Sequence, residues 1–124
     1  MKKRKKMNHY NDMPRRVRVG NLWFDIELVS SEASDVSGGF YGASSGIREN
    51  ILIRDGQSPG NLADTFIHEV MHCILTLCEA DDGGERKDEE EFYVTHLAHG
   101  ICRFWQDNPK VAIWWAHVNA MELE

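Results

Sequence analysis

The stretch from Ser58 to Glu79 constrains the fold of this chain more than any other. Ser58-Pro59 reads as a helix start, with serine at the N-cap and proline at the first helical position, where its missing N–H is not needed. Apolar residues then recur at helical spacing: Phe66, Ile67, Val70, Met71, Ile74, Leu75 and Leu77. The pattern predicts a core helix from about Pro59 to Glu79, stopped by Asp81-Asp82-Gly83-Gly84. Within it lies His68-Glu69-Val70-Met71-His72, an H-E-x-x-H pattern. Positions four apart share a helix face, so His68 and His72 can aim two imidazoles at one metal ion. Zinc takes neutral imidazole nitrogen at about 2.0–2.1 Å, and a catalytic zinc has three protein ligands and a water. Glu69, beside the first ligand, can reach that water and accept its proton. Two histidines and a glutamate on a core helix are unfavourable unless they share a partner, and a metal is the simplest one.

The residues before this helix read as strands. Arg16-Val17-Arg18-Val19 alternates, Gly20-Asn21 supplies a tight turn, and Leu22 to Val29 alternates again, a β-hairpin with a two-residue loop. Phe24, Ile26 and Leu28 share one face of the second strand. A Ser, Asp and Gly-rich loop follows over residues 30–38. Gly39-Phe40-Tyr41 opens a third short strand, Ala43 to Gly46 turns, and Ile47 to Arg54 forms a fourth with Ile51 and Ile53 facing one way. After the motif helix, a second helix is expected from about Lys87 to Gln106, with Val94, Leu97, Ile101 and Trp105 as its core stripe. Asn108-Pro109 repeats the cap-plus-proline signal and opens a third helix, Lys110 to about Met121. Strands first and helices afterwards argue for an α+β domain, a small antiparallel sheet of about four strands followed by three helices.

A length of 124 residues suits one domain. Residues 1–14 read as a flexible basic arm and 15–124 as the domain. The net charge of -6 hides an asymmetry: Lys2, Lys3, Arg4, Lys5, Lys6, Arg15, Arg16 and Arg18 stand against Asp12 alone in the first 18 residues. Such an arm is read first as a solvated tail. Its second reading is a weak nucleic-acid contact, although no aromatic pattern accompanies the charges. No apolar run spans a bilayer and no apolar h-region follows the basic start, so neither a membrane helix nor a signal peptide is expected. The three cysteines, Cys73, Cys78 and Cys102, lie in predicted helices and read as reduced core residues of a cytoplasmic protein. Cys73 follows His72 directly but projects about 100° away from it on a helix, which disfavours it as a soft ligand.

A third ligand is sought downstream among Glu89, Glu90, Glu91, His96 and His99. If the second helix buries its Val94 stripe across the motif helix, Glu90 and Glu91, four and three residues before Val94, flank the core-facing side. An acidic first turn that complements the helix dipole accounts for most of these charges. His68-Glu69-Val70-Met71-His72, the acidic cluster and the later Trp105-Gln106-Asp107-Asn108-Pro109 together resemble the small zincin metallopeptidases of phage and prophage type. These are gluzincin-like and related in outline to SprT-like and ImmA/IrrE peptidases. The resemblance covers roughly residues 17–110 and is specific only at the H-E-x-x-H core. It implies a zincin-like fold with the motif on the first helix, and Glu91, ahead of Val94, as the third zinc ligand, with Glu90 the runner-up.

The implied function is zinc-dependent hydrolysis of peptide bonds, with Glu69 as general base on the zinc-bound water. Protein or peptide is the expected substrate, in the cytoplasm, of a bacterial host if the chain is phage-encoded. Substrate is expected to add to an edge strand, assigned to Ile47–Arg54. Tyr41, Tyr93 and His96 are the candidates for stabilising the transition state. The alternative from another class is a catalytically inactive zinc-binding module that contacts nucleic acid or a host protein.

Overall fold

The structure, a computed structural model, describes residues 10–30, 41–82 and 89–121, the side chains of residues 78–82 and 90 excepted. Its elements are strands β1 (Arg16–Val19), β2 (Leu22–Val29), β3 (Gly42–Ser45) and β4 (Asn50–Arg54), then helices α1 (Pro59–Asp82), α2 (Glu89–Asp107) and α3 (Pro109–Asn119). The expected α+β order, four strands followed by three helices, is what the chain adopts. β1 and β2 form the hairpin, with Val19 opposite Leu22. Gly20 takes the positive φ of 58° that this two-residue loop demands at its first position.

The sheet is mixed, not antiparallel throughout. Its order is β1-β2-β4-β3, and β4 runs parallel to β2 with Ile26 beside Ile51 and Leu28 beside Ile53. β3 pairs antiparallel with β4 from the far side. The turn between them falls over residues 46–49, so Ala43 to Ser45, expected to turn, are strand. The proposed strand start at Gly39-Phe40 lies outside the described residues. Apolar content explains the order. β4 carries Ile51 and Ile53, both fully buried, and takes the central place, while β3, Gly-Ala-Ser-Ser, takes the edge. The expected edge strand Ile47–Arg54 is therefore corrected: β4 is interior, and β3 is the edge.

Val17, Val19, Phe24, Ile26, Ile51 and Ile53 build one wall of the core, and Leu62, Phe66, Val70 and Ile74 of α1 face them. Leu28 shares the parity of Phe24 but is 45 % exposed. The stripe expected on α2 is kept except at its first position. Val94 is 57 % exposed, whereas Phe104 is buried and Leu97, Ile101 and Trp105 pack against the core. Gly100 sets this register, because a β-carbon there would stand 2.4 Å from Ile74 Cγ2.

Ser58 caps α1 as expected: its Oγ accepts the Asn61 N–H at 3.4 Å, and its carbonyl accepts the Leu62 N–H at 2.8 Å. Asn108 does not cap α3 with its side chain. Its Oδ1 accepts the Arg18 N–H at 2.9 Å, and its Nδ2 donates to the carbonyls of Arg18 and Phe104, which ties the α2–α3 corner to β1. The tryptophans of α3 buttress the motif helix. Trp115 Nε1 donates to the Ala63 carbonyl at 2.8 Å, and Trp114 packs edge-on against Phe66 with centroids 5.1 Å apart. The expected arm is shorter than 14 residues: the Tyr10 hydroxyl accepts the Gln57 N–H at 2.7 Å, and Tyr10 and Met13 pack against the core. Among the described residues, no helix is long and apolar enough to cross a membrane.

Candidate functional site

α1 carries the H-E-x-x-H motif near its middle, between the turns buttressed by α3 and those packed on α2. His68 and His72 are exposed, and Glu69 is buried at 6 % exposure. The Nε2 atoms of His68 and His72 are 3.1 Å apart, with ring centroids 4.8 Å apart and planes at 74°. Two nitrogens on a tetrahedral zinc at about 2.0–2.1 Å each stand roughly 3.3 Å apart. At 3.1 Å the two nitrogens share a hydrogen bond, one ring donating and the other accepting, and this spacing is also near that of two ligands on one ion.

Glu69 makes no hydrogen bond or ion pair with any other described residue. A buried carboxylate normally has such a partner, because stripping water from a charge is strongly unfavourable. Behind it lies the edge strand. Gly42 of β3 comes so close that a β-carbon there would stand 3.1 Å from Glu69 Cγ and 2.9 Å from Thr65 Cγ2. One turn on, the Cys73 thiol bonds the Ser44 side chain. Burial pushes that thiol up to about 12, and the nearby Glu69 carboxylate adds to the rise, outweighing the Ser44 bond. Cys73 is thus a protonated core thiol, as expected, whereas Cys102, also expected in the core, is exposed.

A buried polar relay fixes β3 against α1. The Gln57 side chain donates to the carbonyls of Tyr41 at 3.2 Å and Arg54 at 2.7 Å, and accepts the Thr65 hydroxyl at 2.7 Å. Gln57 thus joins the start of β3, the end of β4 and the second turn of α1. Neither Gln57, Thr65 nor Gly42 carries a signal in the sequence, since their roles exist only once strand and helix meet.

The third-ligand candidates lie elsewhere. Among the described residues, no group of three His, Cys, Asp or Glu side chains is assembled. Glu91 is exposed and its Oε1 accepts the Thr95 hydroxyl at 3.0 Å; Glu89 is exposed; the Glu90 side chain lies outside what is described. His96 rests against Phe92, with centroids 4.4 Å apart, and lines a groove with His99, Gly100 and Ile74 on another side of α1. The reason is the length of α1. It continues to Asp82, ten residues and thus about 15 Å beyond His72, so α2 begins far along the axis. The register argument through Val94 also falls, since Val94 faces solvent. Of the transition-state candidates, Tyr41 stands exposed at the head of β3, one residue before Gly42, with the Arg54 guanidinium 5.8 Å from its ring centre. Tyr93 packs on Phe92.

Comparison with known proteins finds no match: no family model, no curated protein and no solved structure is similar to the chain.

Proposed function

We propose that this protein is a zinc-dependent metallopeptidase acting on protein or peptide substrates in the cytoplasm. One observation carries the reading: two converging imidazole nitrogens 3.1 Å apart beside a buried carboxylate with no partner among the described residues. Zinc, when bound, would acidify a water and polarise the scissile carbonyl. His68 and His72 would hold the ion. Glu69 would accept the proton of the attacking water and return it to the leaving amine. β3 presents an edge of small residues beside Glu69, suited to an extended peptide added as a further strand. The third ligand is proposed from the resemblance to the small zincins, as Glu91 with Glu90 the alternative; Glu91 is not grouped with the two histidines among the described residues, so zinc binding would have to draw the start of α2 toward them.

The second reading is an inactive zinc-binding module for nucleic acid or a host protein. It needs only the paired imidazoles of His68 and His72 and gives no role to Glu69. A peptide-library digest with wild type and Glu69→Gln, with zinc content measured in both, separates the two. The peptidase reading expects cleavage by wild type, a fall of roughly 10²–10⁴ in Glu69→Gln, and equal zinc. Equal cleavage by both proteins would remove Glu69 from the chemistry. A zinc-loaded wild type that cleaves no peptide in the library would favour the module.

A further inference from the structure

We propose that Gly42 is a positioning residue: the missing side chain at this point of β3 lets the edge strand close on α1 and hold Glu69 in its buried orientation. The consequence for hydrolysis rests on the peptidase reading; the geometry does not.

A β-carbon at position 42 would be caged on three sides. It would meet Thr65 Cγ2 at 2.9 Å, Glu69 Cγ at 3.1 Å and the Leu52 carbonyl oxygen at 3.1 Å. These three neighbours differ in how easily they give way. Leu52 belongs to β4, where it lies beside Ala43 in the ladder and beside Glu27 in the parallel pairing, so its carbonyl cannot retreat without disturbing the sheet. Thr65 is held by its 2.7 Å bond to Gln57, and Gln57 is held in turn by the carbonyls of Tyr41 and Arg54. Glu69 has no such tether among the described residues. An added methyl group would therefore be accommodated mainly by turning Glu69. Gly46, just past the end of β3, offers the contrast: a β-carbon there would meet only Thr76 Cγ2, at an ordinary 3.6 Å.

Three full-length variants test this. Gly42→Ala should keep the zinc content of wild type, because the three atoms nearest an added β-carbon belong to Thr65, Glu69 and Leu52 and to neither histidine, while hydrolysis falls about 10²-fold through misplacement of the base. Gly42→Ala with Thr65→Ser removes the closest clash and keeps the hydroxyl for Gln57. It should recover the melting temperature without recovering hydrolysis, since the contact with Glu69 Cγ remains. Gly46→Ala should behave as wild type. The readout independent of activity is solution NMR. Wild type should show a nuclear Overhauser contact between the Gly42 α-protons and the Glu69 γ-protons, and the Glu69 χ1 rotamer should change in both Gly42 variants but not in Gly46→Ala. An unchanged rotamer, or full hydrolysis in the double variant, would overturn the proposal. If wild type cleaves nothing, the peptidase reading fails while the rotamer measurement still decides the role of Gly42.

Discussion

Three neighbouring residues of α1 face different surroundings. His68 and His72 look outward with their nitrogens together, while Glu69 looks inward at Gly42. Outward imidazoles suit ligands, which must be reached by an ion; an inward carboxylate suits a base kept from bulk water. If the two histidines are ligands, each is worth a metal bond and neither is needed for the core. His72→Ala should then remove most of about one zinc per chain while leaving the melting temperature of the zinc-free protein nearly unchanged. Elemental analysis showing full zinc in His72→Ala would remove the metal assignment. The same measurement tests the third ligand that the resemblance implies: if it is Glu91, Glu91→Gln weakens zinc binding and Glu90→Gln weakens it much less. The reverse order would move the ligand to Glu90, and no loss in either would place it outside this turn. The spacing of the histidines was legible in the sequence because helical neighbours are fixed by local geometry. The surroundings of Glu69 were not, because Gly42 reaches it from 27 positions upstream.

At the scale of elements, local rules did well and long-range ones poorly. The β1–β2 hairpin follows from alternation around Gly20-Asn21, and the start of α1 follows from Ser58-Pro59. The parallel pairing of β2 with β4 has no local signature, since alternation says which face a strand buries but not which strand lies beside it. α2 shows the same limit. Leu97, Ile101 and Trp105 of its expected stripe pack against the core, but Val94 faces solvent and Phe104, outside that stripe, is buried, with Gly100 in close contact with Ile74. That contact makes a prediction in which two effects compete. Gly100→Ala gains helix propensity worth about 0.8–1 kcal/mol. It also places a carbon 2.4 Å from Ile74 Cγ2, and Ile74 is β-branched and buried, so it cannot swing aside. Overpacking of this kind costs about 1–3 kcal/mol. The clash should win, and denaturant unfolding should show Gly100→Ala less stable than wild type. A more stable variant would mean that α2 does not sit on α1 in this register.

The whole molecule decides where the domain begins. Basic composition and the absence of apolar periodicity before Val17 suggested an arm of 14 residues. The last part of that arm is built in: Tyr10 exchanges hydrogen bonds with the Gln57 backbone at 2.7 and 3.2 Å, and Met13 packs against the core. Two lone side chains show no periodicity, so patterning could not reveal them. Gln57 is the residue whose side chain holds β3 and Thr65, so the arm's last turn supports the candidate site from behind. Deleting residues 1–9 should leave the melting temperature unchanged. Deleting 1–14 should lower it by roughly 5–10 °C, through lost hydrogen bonds, lost packing of Met13 and exposure of the Gln57 amide. The difference between the two truncations should depend on pH. Burial raises the Tyr10 hydroxyl above its ordinary value of 10, and the nearby Asp55 carboxylate adds to this, against a lowering by the Gln57 backbone. The folded protein therefore prefers the neutral hydroxyl. Its stabilising effect is fully present below pH 10 and is lost as pH rises from there through the raised folded value. Thermal melts of both truncations at pH 7 and above pH 10 should show the gap narrowing at the higher pH, and Tyr10→Phe in the shorter truncation should remove that part of the pH dependence. A gap that is absent at pH 7, or that widens above pH 10, would show that Tyr10 does not anchor the domain.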